Sequence, residues 1–111
     1  MFSISELVEK ANLKVLVEGD TLEKEITGCY CGDLLSWVMS RAKSGDAWIT
    51  VMGNINCVAV ALLADVACII LSEDAVLDDD AKLKAEAQGI TILSTDKTTY
   101  DTACIINTFG V

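Results

Sequence analysis

The residues whose types and spacing first indicate chemistry are two cysteines that flank a tyrosine, Cys29-Tyr30-Cys31. Side chains two positions apart on a strand point to the same face, so both thiols share one face and Tyr30 takes the other. A zinc or iron–sulfur site commonly draws four ligands from two Cys-x-x-Cys pairs, which this spacing does not supply. We interpret the pair as core packing, with a reactive, redox-active thiol as the alternative, and predict no metal site.

The other three cysteines lie singly in segments of regular pattern. Cys57 falls in a helical segment, Cys68 in an apolar strand and Cys104 in the last helix, and we expect each to pack as a small hydrophobic side chain. An odd count of five without an export signal indicates reduced thiols. The chain has no histidine, which removes the commonest general base and the commonest zinc ligand.

The composition is that of a folded, strongly acidic domain. The 111 residues are 52% hydrophobic, and this length predicts one domain over residues 1–111. A net charge of −9, with only 8 scattered basic residues, argues against binding to nucleic acid or to an acidic membrane surface. The longest apolar stretch, Cys57 to Leu71, is interrupted by Asp65 and is shorter than the roughly 20 residues of a bilayer span. Because no signal peptide is recognisable either, we expect a cytoplasmic protein.

Alternating strands and helices predict the fold class. Ser3 and Glu6 form a capping box before an apolar stripe, and Asp33 is a candidate cap for the second helix. The predicted strands are Lys14 to Val17, Glu25 to Tyr30, Ala47 to Val51, Ala67 to Leu71 and Ile90 to Leu93; the later helices are Leu34 to Ala42, Ile55 to Ala64, Asp78 to Gln88 and Thr99 to Phe109. Such β–α–β units give an α/β fold, a mainly parallel sheet with flanking helices, with the N-terminal helix and its two strands as an appendage.

The loops after the parallel strands are the predicted ligand-binding positions, because ligands of such sheets bind at the carboxyl ends of the strands. The segment "STDKTTYD" offers hydroxyls at a helix N-terminus, although Thr98 to Asp101 also fits an ordinary cap. "VMGNIN" either lines a pocket or is a turn with Gly53 at positive φ. The candidate ligand-binding residues are Asn54, Asn56, Ser72, Ser94, Thr95, Thr98 and Thr99.

No catalytic motif is present. The chain contains no phosphate-binding loop, no dinucleotide fingerprint and no nucleophile elbow. The acidic run Asp78-Asp79-Asp80 begins a predicted helix and suits its dipole, so it needs no catalytic role. We therefore predict a protein that is not an enzyme, with no catalytic residue and no cofactor.

The segment "GCYCGDLLSWVMSRAKSGDAWIT" resembles stand-alone proteins of the DRTGG-domain family. The resemblance extends from "ISELVEKANLKVL" to "ITILSTDKTTYDTACII", nearly the whole chain. It implies a fold similar to the N-terminal domains of HPr kinase and MurF, and an accessory, dimer-forming or regulatory role. The kinase label that family members often carry is not implied, because this chain lacks the phosphate-binding domain. Where the family has its name-giving Thr-Gly-Gly, this chain has Ser72-Glu73-Asp74, which places two carboxylates in that loop.

Three functions follow from these observations. The first is a non-catalytic regulatory or scaffolding module that acts through homodimerisation and through a protein partner. The second is a sensor of a nucleotide or other small metabolite that uses the loops after the strands. The third is a thiol-based redox protein that uses Cys29 and Cys31.

Overall fold

The computed structural model describes residues 1–111, which form seven strands and five helices. In chain order these are β1 (Phe2–Ser3), α1 (Ile4–Ala11), β2 (Lys14–Val17), β3 (Glu25–Ile26), β4 (Gly28–Cys31), α2 (Leu35–Arg41), β5 (Asp46–Thr50), α3 (Ile55–Ala64), β6 (Cys68–Leu71), α4 (Asp79–Gln88), β7 (Ile92–Ser94) and α5 (Thr99–Asn107). None of the five helices combines the length and the apolar character that a membrane crossing requires.

Five strands form the central sheet, in the order β2-β7-β6-β5-β4. The four strands from β4 to β7 run parallel, whereas β2 pairs antiparallel with β7 at one edge. β4 lies at the other edge, with a neighbour on one side only. The predicted class, an α/β fold with a mainly parallel sheet and flanking helices, is confirmed.

Helices cover both faces of this sheet. On one face Ile49, Ile70 and Leu93 pack against α1 and α5. On the opposite face Trp48 and Ile69 pack against α2, α3 and α4. All five side chains are buried. Burial on both faces explains why the strands are continuously apolar instead of alternating with polar residues.

The N-terminal helix is fixed at its first turn and joined to the end of the chain. As the capping box predicts, the Glu6 amide donates to Ser3 Oγ and the Ser3 amide donates to Glu6 Oε1, both at 3.1 Å. Phe2 meets the ring of Phe109 edge-on, with the ring centroids 4.3 Å apart. The segment before α1 therefore packs against the segment after α5.

The N-terminal region is not the appendage that the pattern predicted. β2 is a strand of the central sheet, and β3 pairs with β1 in a separate two-stranded sheet. The predicted single strand from Glu25 to Tyr30 is wrong, because the structure has two strands there, β3 and β4. They are separated at Thr27, whose amide donates to the carbonyl of Gly45. An apolar pattern does not specify which strand a segment pairs with. The other predicted elements are present, with ends displaced by at most two residues.

Gly53 is not at positive φ, contrary to the turn interpretation of its segment. A close backbone contact restricts this position instead, since a Cβ on Gly53 would lie 2.0 Å from the carbonyl oxygen of Val76. The contact allows the Gly53 carbonyl to accept a hydrogen bond of 2.8 Å from the Asp78 amide. The loop after β5 is thereby joined to the start of α4.

The loop after β6 has two consecutive left-handed residues, neither of which is glycine. Glu73 has a φ of 59° and Asp74 a φ of 56°. This conformation directs the Glu73 amide to the carbonyl of Lys97 (2.8 Å) and the Asp74 amide to that of Thr95 (3.0 Å). Residues with a side chain pay about 1–2 kcal/mol for left-handed backbone, with Asp among the more tolerant. These are the two positions at which the resemblance implies glycine.

We expect Asp74→Gly to raise the free energy of unfolding by about 0.5–1 kcal/mol, because glycine adopts positive φ without the steric cost. The matched control is Asp80→Gly in the first turn of α4. This variant should lower the free energy of unfolding by a similar amount, because it loses helix propensity and a favourable interaction with the helix dipole. Urea unfolding of both variants measures the difference. A destabilised Asp74→Gly protein would contradict the assignment of strain to this loop.

Candidate functional site

The carboxyl ends of the parallel strands are bordered by a network of short hydrogen bonds. Asp33, in the loop after β4, accepts from Thr50 Oγ1 at 2.7 Å and from the Val51 amide at 3.0 Å. Asp33 is therefore not the cap of α2 that was predicted; the capping position is Leu34, which has no side-chain bond. The carboxylate instead binds two donors at the end of β5, the neighbouring strand.

The second part of the network joins the loop after β6 to the start of α5. Ser72 Oγ and Thr99 Oγ1 lie 2.7 Å apart and share a hydrogen bond. The Thr99 amide donates to Glu73 Oε2 at 3.0 Å, which places a carboxylate at the N-terminus of α5. A negative group is favoured there by the unpaired amides and the helix dipole. An anion from solution would have to compete with Glu73 for this position.

The hydroxyl groups of two further predicted residues accept hydrogen bonds from backbone amides of the protein. Thr95 is buried, and its Oγ1 accepts from the Lys97 amide at 3.2 Å. Thr98 caps α5 by accepting from the Asp101 amide at 3.0 Å, as the capping alternative predicted. The structure thus brings Ser72, Thr95, Thr98 and Thr99 together, and each makes a side-chain bond inside the protein.

Asn54 and Asn56 lie apart from that group. Asn54 caps α3, with Oδ1 accepting from the Cys57 amide at 3.1 Å. The space beside it, above Leu71 and Ile92, leaves no room for a water molecule. Asn56 is exposed one residue into α3. Neither asparagine faces an open pocket at the strand ends.

Ser94 is the one predicted residue that lines an open groove. This groove, which we call the β2–α4 groove, has a volume of about 410 Å³ and lies between β2, the loop after β6 and α4. It is lined by Lys14, Leu16, Asp74, Ala75, Val76, Leu77, Asp79, Lys82 and Ser94. Sequence reasoning missed all of these except Ser94, because the charged residues come from separate elements and the pairing of β2 with β7 was not predicted.

The charges of the β2–α4 groove do not neutralise one another by direct ion pairing. Lys14 and Lys82 face the same space as Asp74 and Asp79, and all four are exposed. The one ion pair of the chain joins two other residues, Lys24 and Asp65, at 3.8 Å. The groove therefore offers two cationic and two anionic groups to a ligand.

The cysteines separate into buried and accessible groups. Cys57 and Cys68 are buried as predicted, and burial raises the pKa of Cys68 to about 12. Cys104 is exposed, so its predicted core position is wrong; it lies on the solvent side of α5, where the apolar neighbours in sequence turn inward. Cys29 is half-buried and packs against the core as predicted, whereas Cys31 is exposed, so core packing accounts for only one member of the pair.

The two thiols of β4 influence each other. The neighbouring Cys29 thiol lowers the pKa of Cys31 to about 7, against the opposing effects of partial burial and the Asp33 carboxylate. The same interaction, together with burial, raises the pKa of Cys29. No three acidic or thiol side chains of the chain lie close enough together to hold a metal ion.

Comparison with known proteins identifies the family. No curated protein matches the chain significantly. Among solved structures, the chain is similar to the CBS and DRTGG domains of the regulatory region of a Clostridium perfringens pyrophosphatase, a structure determined in complex with the activator diadenosine tetraphosphate. The TM-score is 0.75 at 11% identity, and the match covers 94% of this chain but only 45% of that one. The sequence pattern of the DRTGG domain matches residues 6–109, and the chain therefore belongs to the DRTGG domain family.

Proposed function

We propose that this DRTGG domain is a non-catalytic regulatory module that acts as a homodimer. Its family and its fold are those of a regulatory region, which supports a regulatory or ligand-sensing role. The observation that carries the dimer is the outer surface of α3. The proposal includes docking of a protein partner on the dimer.

α3 is apolar on every side after its first turn, where Asn56 is its one polar residue. Its sequence, INCVAVALLA, contains no charged residue, and Leu62 and Leu63 are 45% and 71% exposed. A helix without a polar face is normally buried on all sides. α2 packs beside α3, and Trp37 of α2 and the capping residue Leu34 are 50% and 58% accessible. Covering a leucine contributes about 1.5–3 kcal/mol, so this surface favours association.

Charge favours α3 as the surface through which two copies of the chain would meet. Two molecules that each carry −9 repel one another wherever acidic residues face each other. α3 is the one helix without a charged side chain, so two copies approach with least repulsion through α3. A two-fold axis there makes the same patch contact itself, as in most homodimers.

We expect the wild-type protein to have twice the monomer mass of 11.9 kDa in light scattering at micromolar concentration. Leu63→Glu should give the monomer mass, because two buried carboxylates would face each other across the axis. Leu83→Glu is the matched control: Leu83 is 68% exposed on α4, outside the proposed interface, and this variant should stay dimeric. A wild-type monomer, or a dimer that survives Leu63→Glu, would contradict the proposal.

A second candidate function, sensing of a small metabolite, is favoured by the β2–α4 groove. Its volume of about 410 Å³ falls in the range of small-ligand sites. The related regulatory region is complexed with an adenine nucleotide, diadenosine tetraphosphate. Lys14 and Lys82 supply cations for a phosphate, while Asp74 and Asp79 limit the negative charge that the groove accepts. We propose AMP, with its single phosphate, as a better fit than diadenosine tetraphosphate.

Calorimetric titration with AMP and with diadenosine tetraphosphate tests this function. We expect Lys82→Ala to weaken AMP binding about tenfold, because a charge-assisted contact contributes roughly 1.5 kcal/mol or more. Asp74→Asn should strengthen it by removing a repulsive carboxylate. Lys84→Ala, a change of the same kind on α4 outside the groove, should leave the affinity unchanged. Equal effects of the two lysine variants, or no heat with either nucleotide, would exclude the groove as a nucleotide site.

A further inference from the structure

Three cysteines from two elements line one open groove on the face of the sheet that α5 covers. Cys29 and Cys31 come from β4 and Cys104 from α5. This groove, which we call the thiol groove, has a volume of about 400 Å³ and is distinct from the β2–α4 groove. Ala103, Ile106 and Val111 make most of the remaining lining apolar. Neither the predicted ligand residues nor the proposed dimer surface involves it.

The position of β4 determines which thiol a small molecule reaches first. β4 is an edge strand, and its two cysteines lie opposite Ala47 and Ile49 of β5. Cys29 is half-buried and packs against the core beneath α5, whereas Cys31, at the end of the strand, is exposed. Cys31 is therefore the accessible member of a pair whose second thiol lies beside it.

A disulfide between the two strand cysteines is unfavourable on geometric grounds. Along a strand each residue advances about 3.3 Å, so the Cα atoms of Cys29 and Cys31 are about 6.6 Å apart. That separation is near the upper limit for a disulfide, and the pairing of β4 with β5 resists shortening it. An oxidised product at Cys31 is thus more easily formed with an external thiol than with Cys29.

We propose that Cys31 is a site of reversible S-thiolation by a low-molecular-weight disulfide, and that the transferred group lies in the thiol groove. The Cys31 thiolate attacks one sulfur of the disulfide R–S–S–R. A Cys31–S–S–R bond forms, the original S–S bond breaks, and R–S⁻ leaves with the electron pair and takes up a proton. The protein sulfur is oxidised and the released thiol is reduced, so atoms and electrons balance. An added thiol reverses the reaction by the same exchange.

Two properties of the site favour this reaction. The pKa of Cys31, about 7, makes the thiolate abundant at neutral pH, and the thiolate is the attacking species. The higher thiolate fraction is partly offset by lower nucleophilicity, which leaves a net gain of roughly threefold over an ordinary thiol. The net charge of −9, with Asp33 near the site, favours a cationic disulfide over an anionic one.

Cystamine, a cationic disulfide, is the probe, and the folded reduced protein is treated at pH 7. Peptide mass spectrometry over time gives the rates of adduct formation at each cysteine. We expect the mixed disulfide at Cys31 to form at least threefold faster than at Cys104, which is also exposed, and dithiothreitol to remove it. Oxidised glutathione, which is anionic, should react more slowly than cystamine. Cys104→Ala should leave the rate at Cys31 unchanged.

Cys29→Ala tests the role of the neighbouring thiol, because alanine retains the strand and removes the group that favours the Cys31 thiolate. The rate at Cys31 should then fall to that of Cys104. Circular dichroism shows whether this variant folds. If it does not, the proposal is tested by the wild-type protein alone, through the ratio of the rates of adduct formation at Cys31 and at Cys104. Equal or faster reaction at Cys104 would overturn the proposal. A product that has lost two hydrogens, with no adduct, would also overturn it, because it would indicate an internal disulfide.

Discussion

The burial of the central sheet on both faces is the constraint on which the rest of the structure depends. Strands such as Cys68–Leu71 have no exposed side, so they hold no polar group that could serve a ligand. Polar side chains of the sheet are consequently concentrated at the ends and edges of strands. The Asp33–Thr50 bond, the Ser72–Thr99 bond and the thiols of β4 all occupy such positions.

The loop after β6 adopts left-handed backbone at two consecutive residues, neither of which is glycine. Glu73 and Asp74 hold left-handed backbone, and their amides bond to the carbonyls of Lys97 and Thr95. The Glu73 carboxylate also binds the Thr99 amide. These three bonds offset the steric cost of side chains at positions that favour glycine. The N-terminus of α5 is therefore already supplied with a negative group, the Glu73 carboxylate.

Sequence reasoning succeeded where the information is local. The capping box at Ser3 and the cap at Thr98 depend on residues within one turn, and both are present. It failed where a side chain forms a hydrogen bond with a residue distant in sequence, as Asp33 does with Thr50. The β2–α4 groove was missed for the same reason, since its lysines meet only through the pairing of β2 with β7. Exposure of Cys104 depends on how α5 is rotated over the sheet, which the pattern of one short helix does not determine.

The joining of the two ends of the chain has a consequence for biosynthesis. β2 needs β7 as its pairing partner, and Phe2 needs the ring of Phe109. During translation β2 and Phe2 therefore reach these partners only after β7 and Phe109 have been synthesised, whereas β1 and α1 have earlier contacts, such as the pairing of β1 with β3. The β4–β5–β6 part can assemble earlier, since its strands follow one another along the chain. The antiparallel edge of the sheet thus depends on the strand pairing with the longest sequence separation in this fold, and such pairing forms slowly because a long loop must close first.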